Sequence, residues 1–321
     1  MRKTVKVIDM IKGSKAPLFT FELLPPLKGH NIQQIFDAID PLIDYGPSYI
    51  NITYHQEEII YKTRTDGLAE KRVIRKRPGT VAIAASIKHR YNIPVVPHLI
   101  CGGFNRHETE EALIDLNFLG IKNLLALRGD PQGSKRMFMP EEDGHEHTDQ
   151  LVEQIMKMNK GFYLYDDVKE AEASDFCVGV AGYPEKHFEA PNSASDLHYL
   201  KQKVDKGASY IVTQMFFNNS HYFKFVEQCR SVGIDVPIIA GMKPLTSLND
   251  IRLLPQTFHV EVPEELEKEV KKCTSNKEVR ELGVEWAVAQ SKELIQKNVP
   301  GIHYYTLGRS DNIKKIVSAS F

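Results

Sequence analysis

The sequence predicts an α/β fold, a closed (β/α)8 TIM barrel with an extra helical segment before the last long helix. Three observations predict it. Strand-like and helix-like periodicities alternate along nearly the whole chain, giving about eight βα units, the count a closed barrel needs. A polar or ionisable residue stands where almost every apolar, β-prone run stops, and in a closed parallel barrel those stops share one rim. The competing architecture, an open doubly wound sheet, uses the same alternation but expects a GxGxxG after its first strand, and none is present.

The elements follow in order. Leu18 to Leu23 reads as a strand, Asn31 to Tyr45 as an amphipathic helix and Tyr49 to Tyr54 as the next strand. A long helical stretch is expected from about Glu70 to Arg90, interrupted at Pro78-Gly79. Val95 to Cys101 is a strand, Glu108 to Leu119 a helix closed by Gly120, and Asn123 to Arg128 a strand. A helix from Thr148 to Asn159 and a strand from Phe176 to Ala181 come next. The following helix, Ser195 to Lys206, has Ser193 or Ser195 as its cap and stops at Gly207. Tyr210 to Phe216 is strand, His221 to Val232 helix, Pro237 to Met242 strand, with a helix from Leu248. A charged segment from Pro263 to Lys272 precedes a long helix at 277–297, a last strand at 302–307 and a terminal helix at 312–319. No linker rich in Pro, Gly or Ser interrupts this rhythm, so residues 1–321 read as one domain.

Composition is that of a globular protein with a sizeable core: 42% hydrophobic and 26% charged residues. A formal net charge of −1 gives no global attraction to nucleic acid or acidic membrane. The basic cluster Lys71-Arg72 and Arg75-Lys76-Arg77 lacks interleaved aromatics and reads as a solvated helix face. Four widely spaced cysteines form no CxxC pair, and Cys101 and Cys177 lie in apolar strands as small hydrophobes. The N-terminal residues lack a signal-peptide core, and no stretch approaches the ~20 apolar residues of a spanning helix. A cytoplasmic setting is therefore expected.

Glu22 is the sharpest site candidate. It interrupts the apolar run Phe-Thr-Phe-Glu-Leu-Leu, and Pro25-Pro26 then takes the chain out of the sheet. Desolvation at an enclosed rim favours a protonated carboxyl, which suits a general acid; an edge glutamate paired with a base is the alternative. Arg128-Gly129-Asp130 closes the fourth strand, where Gly129 permits a turn or close approach to a ligand. The neighbouring GDPQGSK lacks the order of a phosphate loop. His107-Glu108 lacks the second histidine of HExxH, and its glutamates suit a helix N-terminus. His145-Glu146-His147 reads as a solvated loop rather than a metal site. His98 is either a core histidine or a rim group. Gln214 ends the sixth strand with an amide that can read a heterocycle edge, while Met215-Phe216-Phe217 and Tyr304-Tyr305 suit packing.

Together, FELLPP, NITY, PHLIC, LRGD, GVAGYPEKHFEA, SDLHYLKQKVDKGASYIVTQMFF, GIDVPIIAGMKP and HYYTLGR resemble the methylenetetrahydrofolate reductase family, in order, from about Leu18 to Arg309. The length is similar to the bacterial form, a catalytic barrel alone. The resemblance implies FAD held non-covalently at the strand C-terminal rim, with NADH or NADPH as electron donor. It implies a ping-pong reduction of methylenetetrahydrofolate to methyltetrahydrofolate, a homo-oligomer and no metal. Glu22 matches the general acid that opens the folate's five-membered ring to an iminium ion. Asp130 matches an aspartate whose charge favours that cation. Gln214 and Tyr305 match substrate contacts. For FAD the resemblance points to Thr53, His98, Arg128, Gly129, Asp130, Tyr183, His187, Asp196, Lys203 and Ala208. Arg128 and Lys203 suit a pyrophosphate, Asp196 suits ribose hydroxyls or a helix cap, and Ala208 is the small residue of a supporting turn. His55, Tyr199, Gln202 and Leu248 depart from the family pattern. The rival readings are a pterin-binding barrel methyltransferase without flavin and a non-enzymatic flavin- or folate-binding barrel.

Overall fold

The computed structural model describes residues 5–131, 137–165, 170–306 and 310–321. Its elements are, in order, α1 (Val7–Gly13), β1 (Leu18–Leu23), α2 (Gln33–Ile43), β2 (Tyr49–Ile52), β3 (Glu58–Thr63), β4 (Ala69–Ile74), α3 (Thr80–Tyr91), β5 (Val95–Ile100), α4 (Arg106–Phe118) and β6 (Asn123–Leu127). Then come α5 (Thr148–Met158), β7 (Cys177–Gly182), α6 (Ser193–Asp205), β8 (Tyr210–Met215), α7 (Asn219–Ser231), β9 (Ile238–Met242), α8 (Asp250–Phe258), α9 (Glu264–Lys272), α10 (Asn276–Gln296), β10 (Gly301–Tyr305) and α11 (Asp311–Ser320). Eight parallel strands close in the order β1-β10-β9-β8-β7-β6-β5-β2. The expected barrel is thus the observed one.

Alternation along each strand divides the core. Outward residues such as Phe19, Phe21, Ile50, Ile52, Val178, Ile211 and Ile302 pack with buried residues of the helices. Inward residues at the lower level, among them Leu18, Tyr49, Val96, Leu125, Cys177, Tyr210 and Ile239, form an apolar floor. The Tyr210 ring fits there only because residue 179 is glycine: a Cβ at Gly179 would lie 2.3 Å from the ring. Helix α1, which the sequence reading did not anticipate, plugs this end. Its Val7 is fully buried in the floor, and the Val7 N–H donates to Asn123 Oδ1 at 2.8 Å.

The segment expected at 263–272 is α9, with Glu264, Glu265 and Glu267 in its first turn and Lys271 and Lys272 in its last, matching the helix dipole. Leu266 and Val270 bury it against Met215, Phe217 and Leu245.

Three local expectations are corrected. The stretch from Glu70 to Arg77 is not helix: β3 and β4 pair antiparallel, Glu58 opposite Ile74 and Thr63 opposite Ala69. The turn is set by Asp66-Gly67, with Gly67 at φ +83 and its N–H donating to Arg64 O. Lys71 and Arg72 are therefore strand residues, and Lys76 pairs with Glu58 at 2.5 Å. The cap of α6 is Asn192, whose side chain accepts from Ser195 N at 2.9 Å, rather than a serine. His145 is buried, not solvated, with Nε2 2.5 Å from Gln154 Oε1. Glu108 completes a capping box with Asn105, as its helix-start placement implies. The last strand, expected over 302–307, runs to Tyr305, and residue 307, like part of GDPQGSK and HYYTLGR, lies outside the described residues.

Val7→Ala is expected to destabilise the protein by about 1–2 kcal/mol by opening a small void in the barrel floor. Urea unfolding should show a lower midpoint with an unchanged slope.

Candidate active site

The C-terminal rim gathers residues from strands far apart in sequence. Glu22 lies on the inward face of β1, opposite Asn51 of β2 on one side and Tyr305 of β10 on the other. It is 7% exposed. Its backbone is held beyond the ladder: Thr306 Oγ1 donates to Glu22 O at 2.7 Å. Thr53 donates twice to Leu23 O, from N at 3.0 Å and from Oγ1 at 3.1 Å. The nearest base to the carboxylate is His303, fully buried, with Nε2 3.9 Å from Glu22 Oε2. His303 Nδ1 is engaged by Thr20 Oγ1 at 2.6 Å.

His98, left open between core and rim, sits inside the barrel, 6% exposed, with Nε2 3.4 Å from Asn51 Nδ2. Burial, with His303 and His55 nearby, pushes its pKa down to about 3. It is a neutral imidazole across the physiological range.

Tyr305 donates from its hydroxyl to Thr213 O at 2.6 Å, across β9. The ring passes over Gly241, where a Cβ would lie 2.9 Å from it and 2.1 Å from Thr213 O. Register in the β8–β9 pairing shifts between Val212 and Met215, next to this contact. Gln214 folds back, its Oε1 accepting from Met215 N at 2.9 Å. It lines a small pocket with Tyr183, Glu185, Phe258 and His259.

The opposite arc carries the charges. Gly129 adopts φ +90 against Ile100, turning the chain after β6. Asp130 is exposed, and its backbone carbonyl accepts from Gln56 Nε2 at 2.7 Å. Arg128 pairs with Glu189 at 2.6 Å and lies over Phe138, 5.1 Å from the ring centroid. Tyr183 and His187 meet edge to face with centroids 4.6 Å apart. Burial holds His187 down at about 4. Lys203 donates to Ala181 O at 2.9 Å, and burial, opposed by Asp196 and Asp149, lowers its pKa to about 8. Asp196 accepts from His187 N at 3.1 Å, so it ties α6 to the loop after β7 rather than capping its helix. Burial raises its pKa.

Ala208 does not reach the rim. It is buried in the turn before β8, at the floor end, where its N–H donates to Lys203 O at 3.2 Å and so braces α6. Tyr199, Gln202 and Leu248 are exposed. Sequence reasoning missed Gln56, His303, Thr306 and Lys243. His303 was findable, being an ionisable residue on the inward face shared with Tyr305. A separate groove of about 350 Å³ lies outside the barrel, lined by Phe217, Pro263 and Trp286 among others, away from these groups. Among the described residues no cluster of His, Cys, Asp or Glu could hold a metal ion, and no helix is long and apolar enough to cross a membrane.

Two expectations follow. The folded pKa of His98 is depressed from 6.5, so its contribution to stability is present above pH 6.5 and is lost progressively as pH falls towards 3. The stability margin of wild type over His98→Asn should therefore shrink between pH 7 and pH 5 in urea unfolding; a constant margin would contradict a neutral, buried His98. Gly241→Ala should cost roughly 2 kcal/mol or more, because the added methyl meets backbone that cannot turn away. Thermal melting measures it.

The chain matches the methylenetetrahydrofolate reductase family model over residues 6–320. It is 31% identical over 316 residues to methylenetetrahydrofolate reductase (NADH) 1 of Arabidopsis thaliana, a match covering 94% of this chain and 48% of that protein. It is 30% identical over 294 residues to the 5,10-methylenetetrahydrofolate reductase of Salmonella typhimurium, covering 91% and 86%. The chain thus spans about half the length of the plant relative and most of the bacterial one. A solved structure similar in fold is a Clostridium thermocellum protein described as binding two copies of 5-methyl-5,6,7,8-tetrahydrofolic acid. Its TM-score is 0.57 at 14% identity, over 98% of this chain and 97% of that one. With the match running from the floor helix to α11, the chain belongs to the methylenetetrahydrofolate reductase family.

Proposed function

We propose that this barrel reduces 5,10-methylenetetrahydrofolate to 5-methyltetrahydrofolate with a bound FAD and NAD(P)H as donor, in two alternating half-reactions. The observation that carries the reading is Glu22, an enclosed carboxyl on the inward face of the rim in a chain of this family.

The residues present fit a flavin dinucleotide. Lys203 is a deeply set amine whose one hydrogen bond among the described residues is to a carbonyl, leaving ammonium donors for a phosphate. Arg128 spends one of its N–H groups on Glu189, and a guanidinium has five. Gln56 Oε1 and Asn51 Oδ1 are buried acceptors without a partner, suited to ring N–H donors. Thr53, His98, Gly129, Asp130, Tyr183, His187 and Asp196 complete the arc, with Ala208 acting from below through α6. When bound, the flavin supplies hydride transfer.

The chain's own part is protonic and electrostatic. The substrate's methylene carbon bridges two nitrogens. A proton delivered from the Glu22 carboxyl to one of them makes it a leaving group, and the other forms the iminium. Glu22 then carries the negative charge beside that cation, and Asp130 adds a second. Gln214 offers donor and acceptor atoms to the pterin edge, and Tyr305 an apolar wall. A cytoplasmic homo-oligomer, and one barrel over residues 1–321, are parts of the same reading.

The experiment is anaerobic spectroscopy of purified protein. A flavin band should bleach with NADH or NADPH and return with methylenetetrahydrofolate. In Glu22→Gln the bleaching should persist while return slows at least about 10²-fold, the usual contribution of a general acid. Bleaching without return in wild type would overturn the folate assignment. A folded protein that takes up no flavin would point to a pterin-binding methyltransferase instead.

A further inference from the structure

The inward face of β9 reads Ile239, Gly241 and then, one step past the last paired residue, Lys243. Met242 pairs with Tyr304, so Lys243 stands level with Tyr305 at the rim. It is a cation only 6% exposed. Among the described residues no carboxylate oxygen lies within 4.0 Å of its amine, whose one hydrogen bond is a long one, 3.5 Å, to the carbonyl of Pro244. The carboxylate that acts on it from a distance, Asp250, is already saturated. Asp250 Oδ2 accepts from Thr246 N at 2.7 Å, Thr246 Oγ1 at 3.0 Å and Ser247 N at 3.2 Å, and Oδ1 accepts from Ser247 Oγ at 2.6 Å.

A buried ammonium without a close counter-ion is costly and persists where something else supplies the charge. Burial lowers its pKa, which a bound anion would reverse. Arg128 and Lys203 lie on the arc of β6 to α6, and Lys186, beside Gln214, spends its amine on the carbonyls of His187 and Ala190. Among the described residues Lys243 is the buried lysine that follows β9, next to Tyr305. We infer that Lys243 is an anion-binding residue of the substrate wall, taking a carboxylate or phosphate oxygen of the ligand seated against Tyr305. This deepens the reductase reading and rests on it. Two sources share that chemistry: the glutamyl carboxylates of the folate and the phosphates of the pyridine nucleotide.

The test is calorimetric binding to the flavin-loaded full chain, with dihydrofolate and NAD⁺ as unreactive probes. Dihydropterin and nicotinamide riboside serve as their truncated counterparts without the relevant anions. Lys243→Met should weaken one intact probe about tenfold or more, a loss of the order of one charged hydrogen bond, and Lys243→Arg should restore most of it. The matching truncated probe should bind both proteins alike, and the probe that responds identifies the source. Equal weakening of intact and truncated probes, or no weakening at all, overturns the inference and leaves Lys243 as a support for the Asp250 loop. If Lys243→Met fails to fold by circular dichroism, Lys243→Gln keeps a polar tip and answers the same question. Bleaching and return of the wild-type flavin band is recorded first: its failure condemns the reductase reading, whereas its success with no Lys243 effect condemns only this inference.

Discussion

The register of the closed parallel ladder around β1 is the constraint on which the rim depends. Glu22 faces into the barrel because it stands two residues after Thr20 and opposite Asn51 and Tyr305. A slip of one residue would exchange it for Phe21 or Leu23 and drive the carboxylate into the layer packed against helices. Closure leaves no free edge on which such a slip could be absorbed. Beyond the last rungs, Thr53 and Thr306 lock the carbonyls of Leu23 and Glu22 from both neighbouring strands. Side-chain hydroxyls thus continue the ladder where backbone pairing ends.

Above an apolar floor, the barrel interior becomes polar within one strand repeat. Thr20 holds His303, Asn51 meets His98, and Tyr305 reaches Thr213 O. The matching is incomplete: Asn51 Oδ1 and His303 Nε2 are buried without a partner. Each such group costs about 1–3 kcal/mol. A barrel selected for stability alone would fill these positions with branched aliphatic residues, as its floor does. Unfilled hydrogen-bonding capacity grouped at one end of a core is the mark of a site that binds something.

What was legible in the sequence follows from what is local. Strand–helix alternation, stops at Gly120, Gly207 and Gly233, and ionisable residues inside apolar runs are local signals, and they placed the barrel strands and singled out Glu22. They left His98 open between core and rim, whereas Tyr305 read locally as packing and stood out only through the family resemblance. The β3–β4 hairpin was lost because Lys71 to Arg77 reads as a charged helix face, while its strands are short and mostly exposed; the Asp66-Gly67 turn was the signal to weigh. Helix α1 is only seven residues long and owes its existence to the floor that Val7 fills. Gln56 and Lys243 were invisible for another reason. Their significance lies in burial and in the absence of a partner, which only tertiary packing creates. Asp196 shows the limit of motif reasoning, since a first-turn aspartate suggests a cap whereas its carboxylate serves the His187 amide.

The rim divides its charges in a way that bears on a two-stroke reaction. On one arc, Arg128 and Lys203 stand among Glu189, Asp196 and the exposed Asp130, so cations and carboxylates are mixed there. On the other, Glu22, Gln214 and Tyr305 present one acid, one amide and an aromatic wall, with Lys243 behind them. If two different molecules use that second wall in turn, it can demand little that only one of them satisfies. A flat ring against Tyr305 and an anion for Lys243 are features that a dihydronicotinamide nucleotide and a reduced folate have in common. On the proposed reading Glu22 would tell them apart, because only the folate has a nitrogen that must accept a proton for its carbon to become electrophilic. In that reading the chemistry that distinguishes the two strokes would rest on one carboxyl, and the backbone that carries it is fastened from both sides.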